Sequence, residues 1–161
     1  MPSLIALTVS IGLLAVAAIW LFLGPVAAMG MQIWQCFIAW ACFFHSGGDF
    51  EATKKTSICM SFGAIVGALS VMLIAYLAPL GVLAAPIAVG LGTAVLVVAS
   101  YVGLLGTIPA SVYGFAAVAG LILLKGVAPM KAILPTILSI VVGTAFGFAS
   151  GKLAGVLTKK A

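Results

Sequence analysis

The stretch TSICMSFGAIVGALSVMLIAY, residues 56–76, decides the fold class. It carries no charged side chain, and it is long enough to cross a bilayer, which takes roughly 20 apolar residues in a helix. Gly63 and Gly67 stand four residues apart and share one helix face, a small-xxx-small surface that lets another helix approach closely. The stretch therefore predicts a membrane-spanning helix that packs tightly against a neighbour.

The composition of the whole chain agrees with this stretch. Of the 161 residues, 65% are hydrophobic and only 6% are charged, whereas a soluble domain carries about 25% charged residues. So few charges cannot cover a globule with a wetted surface, which predicts an all-α integral membrane protein. The seven basic residues are lysines scattered at predicted helix ends, not the clustered, arginine-rich face that nucleic-acid binding needs.

The hydropathy pattern predicts six transmembrane helices in a single transmembrane domain, residues 1–161. The apolar run at the N-terminus lacks a basic segment before it, so it is expected to be a spanning helix and not a signal peptide. The six predicted spans are residues 3–23, 26–44, 56–76, 82–101, 108–124 and 132–150.

The lysines predict an orientation. With six spans, both termini and the even-numbered connections share one side, which holds Lys54, Lys55, Lys152, Lys159 and Lys160. The opposite side holds Lys125 and Lys131. Because cytoplasmic loops carry the excess of basic residues, both termini are expected in the cytoplasm.

A similarity between the two halves of the sequence suggests two inverted repeats, residues 1–78 and 79–161. Gly63 and Gly67 in the third span match Gly143 and Gly147 in the sixth. Each half has an odd number of crossings, so the halves would be upside down relative to each other, as in many transporters. These four glycines are predicted to be helix-packing positions.

The second span is the most aromatic. Phe37, Trp40 and Phe44 recur at i, i+3 and i+7 and share one helix face. Three interpretations stay open: packing against a neighbouring helix, the wall of a solute path, or an interfacial aromatic belt.

The loop after this span holds the only histidine, His45, and both carboxylates, Asp49 and Glu51. Gly47 and Gly48 allow an unusual backbone path there. An ordinary aqueous loop, a gate or vestibule, and a metal site are the alternatives. No spacing supports the metal site, and Cys36, Cys42 and Cys59 form no ligand pattern, so they are expected to be buried small hydrophobic residues.

Several kinds of chemistry have no residues to support them. No Asp, Glu, Lys or Arg falls in the middle of a predicted span, which argues against a proton-driven pump or a charge-lined pore. A single histidine makes catalysis hard to arrange, so we expect neither an enzyme nor a cofactor. Polar groups remain that could line a path for a neutral solute or bond neighbouring helices; they are Gln32, Gln35, Thr56, Ser57, Ser61, Thr107, Ser111, Tyr113, Thr136, Ser139 and Thr144.

Two stretches carry a resemblance to a known family. One is FIAWACFFHSGG, residues 37–48, with the small-residue helix at 57–71; the other is IPASVYG, residues 108–114, with the later KAILPT and GTAFGF. Together they resemble the YcdZ-like family of small bacterial inner-membrane proteins, a domain of unknown function, over about residues 34–151. The resemblance implies a compact multi-pass protein of the bacterial inner membrane and brings no substrate with it.

The sequence thus favours a small-solute channel or facilitative transporter for an uncharged molecule, such as an amide or a urea-like compound. The alternative is a non-transporting scaffold or subunit of a larger membrane complex. The chain is small for a self-contained transporter, so we expect a homo-oligomer surrounded by lipid. The predicted path residues are Phe37, Trp40, Phe44, His45, Gly47, Gly48, Ser111 and Tyr113.

Overall fold

A computed structural model describes residues 2–159, with side chains as far as Thr158. The described chain is all-helical, which confirms the predicted fold class. Six α-helices follow one another: α1 (Ser3–Leu23), α2 (Ile33–His45), α3 (Phe50–Tyr76), α4 (Ala84–Ala99), α5 (Ile108–Lys125) and α6 (Pro129–Lys159). Lys160, in the predicted basic tail, lies outside the described residues.

Five helical segments are long and apolar enough to cross a membrane; the fourth, Ala78–Ala99, joins a 3-10 segment at Ala78–Leu83 to α4, and α2 is shorter. The predicted continuous span at 26–44 is wrong at its start. A 3-10 turn at Ala27–Met29 ends at Gly30, whose φ of 72° is left-handed, and α2 begins only at Ile33. The Gly24-Pro25 pair and Gly30 interrupt the helical hydrogen bonds there. At 1.5 Å per residue, α2 is about 20 Å long.

Two other helices exceed their predicted bounds. Helix α3 begins at Phe50 instead of residue 56, because Asp49 caps it: the Oδ1 atom of Asp49 accepts a hydrogen bond of 2.7 Å from the Ala52 amide. Helix α6 runs through Pro135 and past Ser150. The polar ends of both helices therefore extend beyond the apolar stretches that predicted them.

The first two helices of each half pack mainly on the third helix of the other half. Helices α1 and α2 pack on α6, α4 and α5 pack on α3, and α3 packs on α6. Exchanging α1 with α4, α2 with α5 and α3 with α6 reproduces the same set of contacts. Two inverted repeats that pack reciprocally against each other would produce this arrangement.

The sequence correspondence is longer than the glycine pairs alone. Six residues of α3 recur unchanged 80 positions later in α6; Leu73 and Leu153 are half-buried, and the other five pairs are buried in both helices. The buried pairs are Ala52 and Ala132, Thr56 and Thr136, Gly63 and Gly143, Gly67 and Gly147, and Ser70 and Ser150. The burial of side chains also follows nearly the same order along the two helices. The division into repeats at 1–78 and 79–161 stays a prediction.

The repeated glycines allow equivalent close approaches. A Cβ atom on Gly63 would collide with the backbone carbonyl of Ser111 in α5, and one on Gly143 would collide with that of Cys36 in α2. Cys36 and Ser111 stand 75 positions apart, as do Ile33 and Ile108, the first residues of α2 and α5. Helices α2 and α5 therefore correspond at a spacing of 75.

The contact between α3 and α6 is filled by apolar side chains. Met60 and Ile140, which are separated by the same 80 positions, are fully buried in one cluster with Ala64 and Ala132. The sequence-based hypothesis of a polar path between the two halves therefore finds no opening at this contact. The small residues bring the backbones close, and the remaining volume is occupied by methionine and isoleucine.

Candidate functional site

The aromatic face of α2 is divided between packing and a shallow recess. Trp40 is 3% exposed, and its Nε1 donates a hydrogen bond of 3.0 Å to Ser150 Oγ on α6. Its ring stacks on Phe146 at 5.6 Å between centroids. All three rings also line an apolar recess of about 290 Å³ beside α1. Helix packing thus holds Trp40 in place with one edge at the recess, whereas Phe37 and Phe44 are more exposed there.

The glycine loop is a tight turn between α2 and α3. Gly47 has a φ of 122° and Gly48 a φ of 71°, which explains why glycine stands at both positions. The carboxylates next to the turn have structural partners, since Asp49 caps α3 and Glu51 forms an exposed ion pair of 2.9 Å with Lys54. These contacts suit the aqueous-loop interpretation.

Ser111 lies in the contact between α5 and α3. It is fully buried, its carbonyl faces Gly63, and its Oγ has no hydrogen-bond partner. It lines neither the recess beside α1 nor the pocket that contains His45. The structure therefore separates Ser111 from Tyr113, with which the sequence grouped it.

His45 and Tyr113 do come together. The Tyr113 hydroxyl and His45 Nδ1 are 3.2 Å apart, within hydrogen-bond distance, although the residues are 68 positions apart in the chain. Both side chains line a groove of about 310 Å³ between α2 and α5; the other lining residues are Ile38, Ala41, Cys42 and Ala116. This groove is the candidate site, because it joins two predicted path residues, one from each half.

Four residues that line the groove stand at matching positions of α2 and α5. Ile38 corresponds to Tyr113 and Ala41 to Ala116 at the 75-residue spacing of the two helices. Two inverted repeats would bring such residues together at the axis that relates them. In transporters built from inverted repeats, the substrate site lies at the repeat interface.

Another polar contact belongs to helix packing. Gln35 is fully buried, and its Nε2 donates to the Ala117 carbonyl at 2.9 Å and to Thr136 Oγ1 at 3.0 Å. Its side chain therefore joins α2, α5 and α6. Interhelical hydrogen bonding, one of the two sequence-based interpretations for this residue, accounts for both contacts.

The apolar lining of the groove escaped sequence reasoning. Ile38, Ala41, Cys42 and Ala116 look like ordinary residues of a spanning helix, and only the 75-residue correspondence could have brought them together. The three cysteines are free and buried, as expected. Among the described residues, no group of three or more His, Cys, Asp or Glu side chains could hold a metal ion.

The chain matches the model of a known family. Residues 8–155 match the family model described as protein of unknown function, DUF1097. The chain belongs to this family. The resemblance noted in the sequence is thereby confirmed as membership of a family of unknown function, while the YcdZ-like name and the bacterial inner membrane stay predictions. No curated protein and no solved structure matches the chain.

Proposed function

We propose that this DUF1097 protein is a facilitative transporter or channel for a small uncharged solute, and that the groove between α2 and α5 is part of its path. The observation that carries the proposal is the position of the groove, which is lined by corresponding residues of both halves. Its polar atoms come from His45 and Tyr113, and the absence of an ionised partner suits a neutral solute.

The proposal includes a location and an orientation. Several apolar helices make this a multi-pass membrane protein. We propose the bacterial inner membrane because the family resemblance implies it, and both termini in the cytoplasm because of the distribution of the lysines. We also propose a homo-oligomer, because the chain is small for a self-contained transporter. We propose no enzymatic activity, because a single histidine makes catalysis hard to arrange.

A non-transporting subunit is the second candidate, and the filled contact between α3 and α6 favours it. Met60 and Ile140 leave no space between the two central helices. A scaffold would use the small-residue contacts only to hold its own six helices together. The two functions differ in whether reconstituted protein changes the permeability of a bilayer.

Flux into proteoliposomes separates these candidates. Swelling rates would be measured by light scattering for urea, glycerol and butyramide, with protein-free liposomes as background. We expect the protein to raise the rate for at least one neutral solute, and Ala116→Trp to abolish the increase by filling the groove. Ala145→Trp is the matched control, since Ala145 is an exposed alanine of α6 outside the groove. Rates equal to background for all three solutes would refute the transport proposal.

A further inference from the structure

The groove between α2 and α5 is polar at one end only. His45 is the last residue of α2, and Tyr113 lies in the second turn of α5. Their repeat counterparts are Gly120 and Ile38, which have no side-chain hydrogen-bonding group. The faces of α2 and α5 that line the groove correspond to each other in position. Their hydrogen-bonding pair, however, lies at only one end of the groove, near the loop of Gly47 and Gly48.

The hydrogen-bond pair keeps one donor and one acceptor free in either direction of the bond. If the Tyr113 hydroxyl donates to His45 Nδ1, the Nε2–H remains a donor and the phenol oxygen an acceptor. If Nδ1–H donates instead, the phenol O–H is the free donor and Nε2 the free acceptor. Both arrangements match a partner group that donates and accepts, such as a hydroxyl or a primary amide.

The rest of the lining selects against more polar molecules. Ile38, Ala41 and Ala116 offer only methyl and methylene groups, and the Cys42 thiol, a weak hydrogen-bonding group, already contacts Ser46 Oγ at 3.8 Å. Urea has hydrogen-bonding groups on every side, and those facing this lining would lose their water without replacement, which disfavours its binding. A charged end would lose more, because no opposite charge lines the groove. The volume of about 310 Å³ is at the small end of known ligand sites.

We infer that the groove binds a small molecule with a single donor-and-acceptor group joined to a short alkyl body. The polar group contacts His45 and Tyr113, and the alkyl part lies along Ala41 and Ala116. This inference narrows the amide or urea-like class expected from the sequence to short-chain amides and alcohols. It rests on the proposed function for the identification of the bound molecule as a transported solute.

The single histidine of the chain provides a specific reporter. Protein labelled with ¹³C at His Cε1 would give one NMR signal from the groove in detergent micelles. Titration with butyramide is expected to move this signal along a saturable curve, whereas urea at the same concentrations should move it far less. The signal also shows directly whether each variant remains folded around the groove.

Two matched variants decide which group is responsible. Tyr113→Phe removes one hydrogen bond and keeps the ring, so butyramide should bind about threefold to tenfold more weakly. Tyr101→Phe makes the same change at an exposed tyrosine outside the groove and should leave binding unchanged. A shift that does not saturate, equal shifts with urea, or equal affinities for the two variants would overturn the inference.

The binding titration and the flux measurement test different proposals, and their results can differ. Flux of another solute without butyramide binding would leave transport in place and remove the assigned ligand class. Saturable butyramide binding without flux of any solute would keep the binding site and remove the transport function.

Discussion

The two halves of the molecule share their backbone contacts and differ in their polar ones. On α6, Ser150 accepts a hydrogen bond from Trp40 of α2 through its Oγ, and its carbonyl accepts one of 2.6 Å from Ser10 Oγ of α1. At the corresponding place on α3, Ser70 donates to Val66 of its own helix and lies against Gly92 of α4. Hydrogen bonds therefore join the first two helices to α6, whereas apolar packing joins α4 and α5 to α3.

Close backbone contacts through glycine are more numerous where α5 packs on α3 than where α2 packs on α6. Between α3 and α5, glycines stand on both sides, since a Cβ atom on Gly114 would collide with the Met60 carbonyl just as one on Gly63 would with that of Ser111. The position corresponding to Gly114 in α2 is Ala39, which fits without a glycine. Close backbone contact thus holds α5 on α3, whereas hydrogen bonds help to hold α2 on α6. Of these two corresponding helices, only α2 carries a histidine and a tryptophan, His45 and Trp40.

The largest expected effect tests whether the halves are inverted. Lys55 follows α2 and Lys125 ends α5, so inverted repeats place them on opposite sides of the membrane. In right-side-out cells, an impermeant maleimide should label Lys125→Cys and should label Lys55→Cys only after permeabilisation. The native cysteines are buried and should not react. Labelling of both variants from the same side would rule out the inversion.

The next effect tests the repeated close approach. Gly63→Ala and Gly143→Ala each place a methyl group against a backbone carbonyl, so each should lower the unfolding free energy by about 1–3 kcal/mol. Gly90→Ala is the control, because nothing lies within 4 Å of its added Cβ atom. Denaturant titration in mild detergent measures all three. If only one of the two variants is destabilised, the glycines are not equivalent.

A smaller effect concerns a feature of the first half alone. Asp49 caps α3, whereas Pro129 stands 80 positions later at the start of α6. Asp49→Ala should lower stability by about 1 kcal/mol through loss of the cap. Glu51→Gln should change stability little, because its ion pair with Lys54 is exposed. Equal losses in the two variants would assign the effect to charge and not to capping.

The smallest effect concerns the two serines. Ser150→Ala removes the acceptor of the Trp40 hydrogen bond and should lower the unfolding free energy by about 0.5–1 kcal/mol, the usual range between membrane helices. Ser70→Ala removes only a bond within α3 and should cost less. A larger loss at Ser70 would contradict the assigned difference between the halves. The same titration serves for both variants.

Much of the fold could be predicted from the sequence because hydropathy is a property of each segment by itself. Charge-free runs such as residues 56–76 identify spanning helices without knowledge of their partners. The glycine spacing also predicted which faces pack closely. The break before α2 was missed, because the residues from Ala27 to Gln32 are nearly as apolar as a helix and only the left-handed φ of Gly30 reveals the turn.

The candidate site was predicted only in part, for a physical reason. His45 and Tyr113 attract attention as polar residues in an apolar chain, and they do meet. Trp40 and Ser111 attract attention for the same reason, yet they occupy helix contacts. Which polar residue faces an opening depends on the rotation of each helix about its axis, and that rotation is set by contacts far apart in the chain, such as Gly143 with Cys36.

The short α2 has a consequence for the surrounding lipid. A helix of 13 residues covers about 20 Å of a hydrocarbon layer about 30 Å thick. Phe37 on its outer side is exposed, so the acyl chains beside it have to shorten or tilt. Hydrophobic mismatch of this kind favours thin bilayers, and we expect the protein to be more stable with shorter-chain phospholipids than with longer-chain ones.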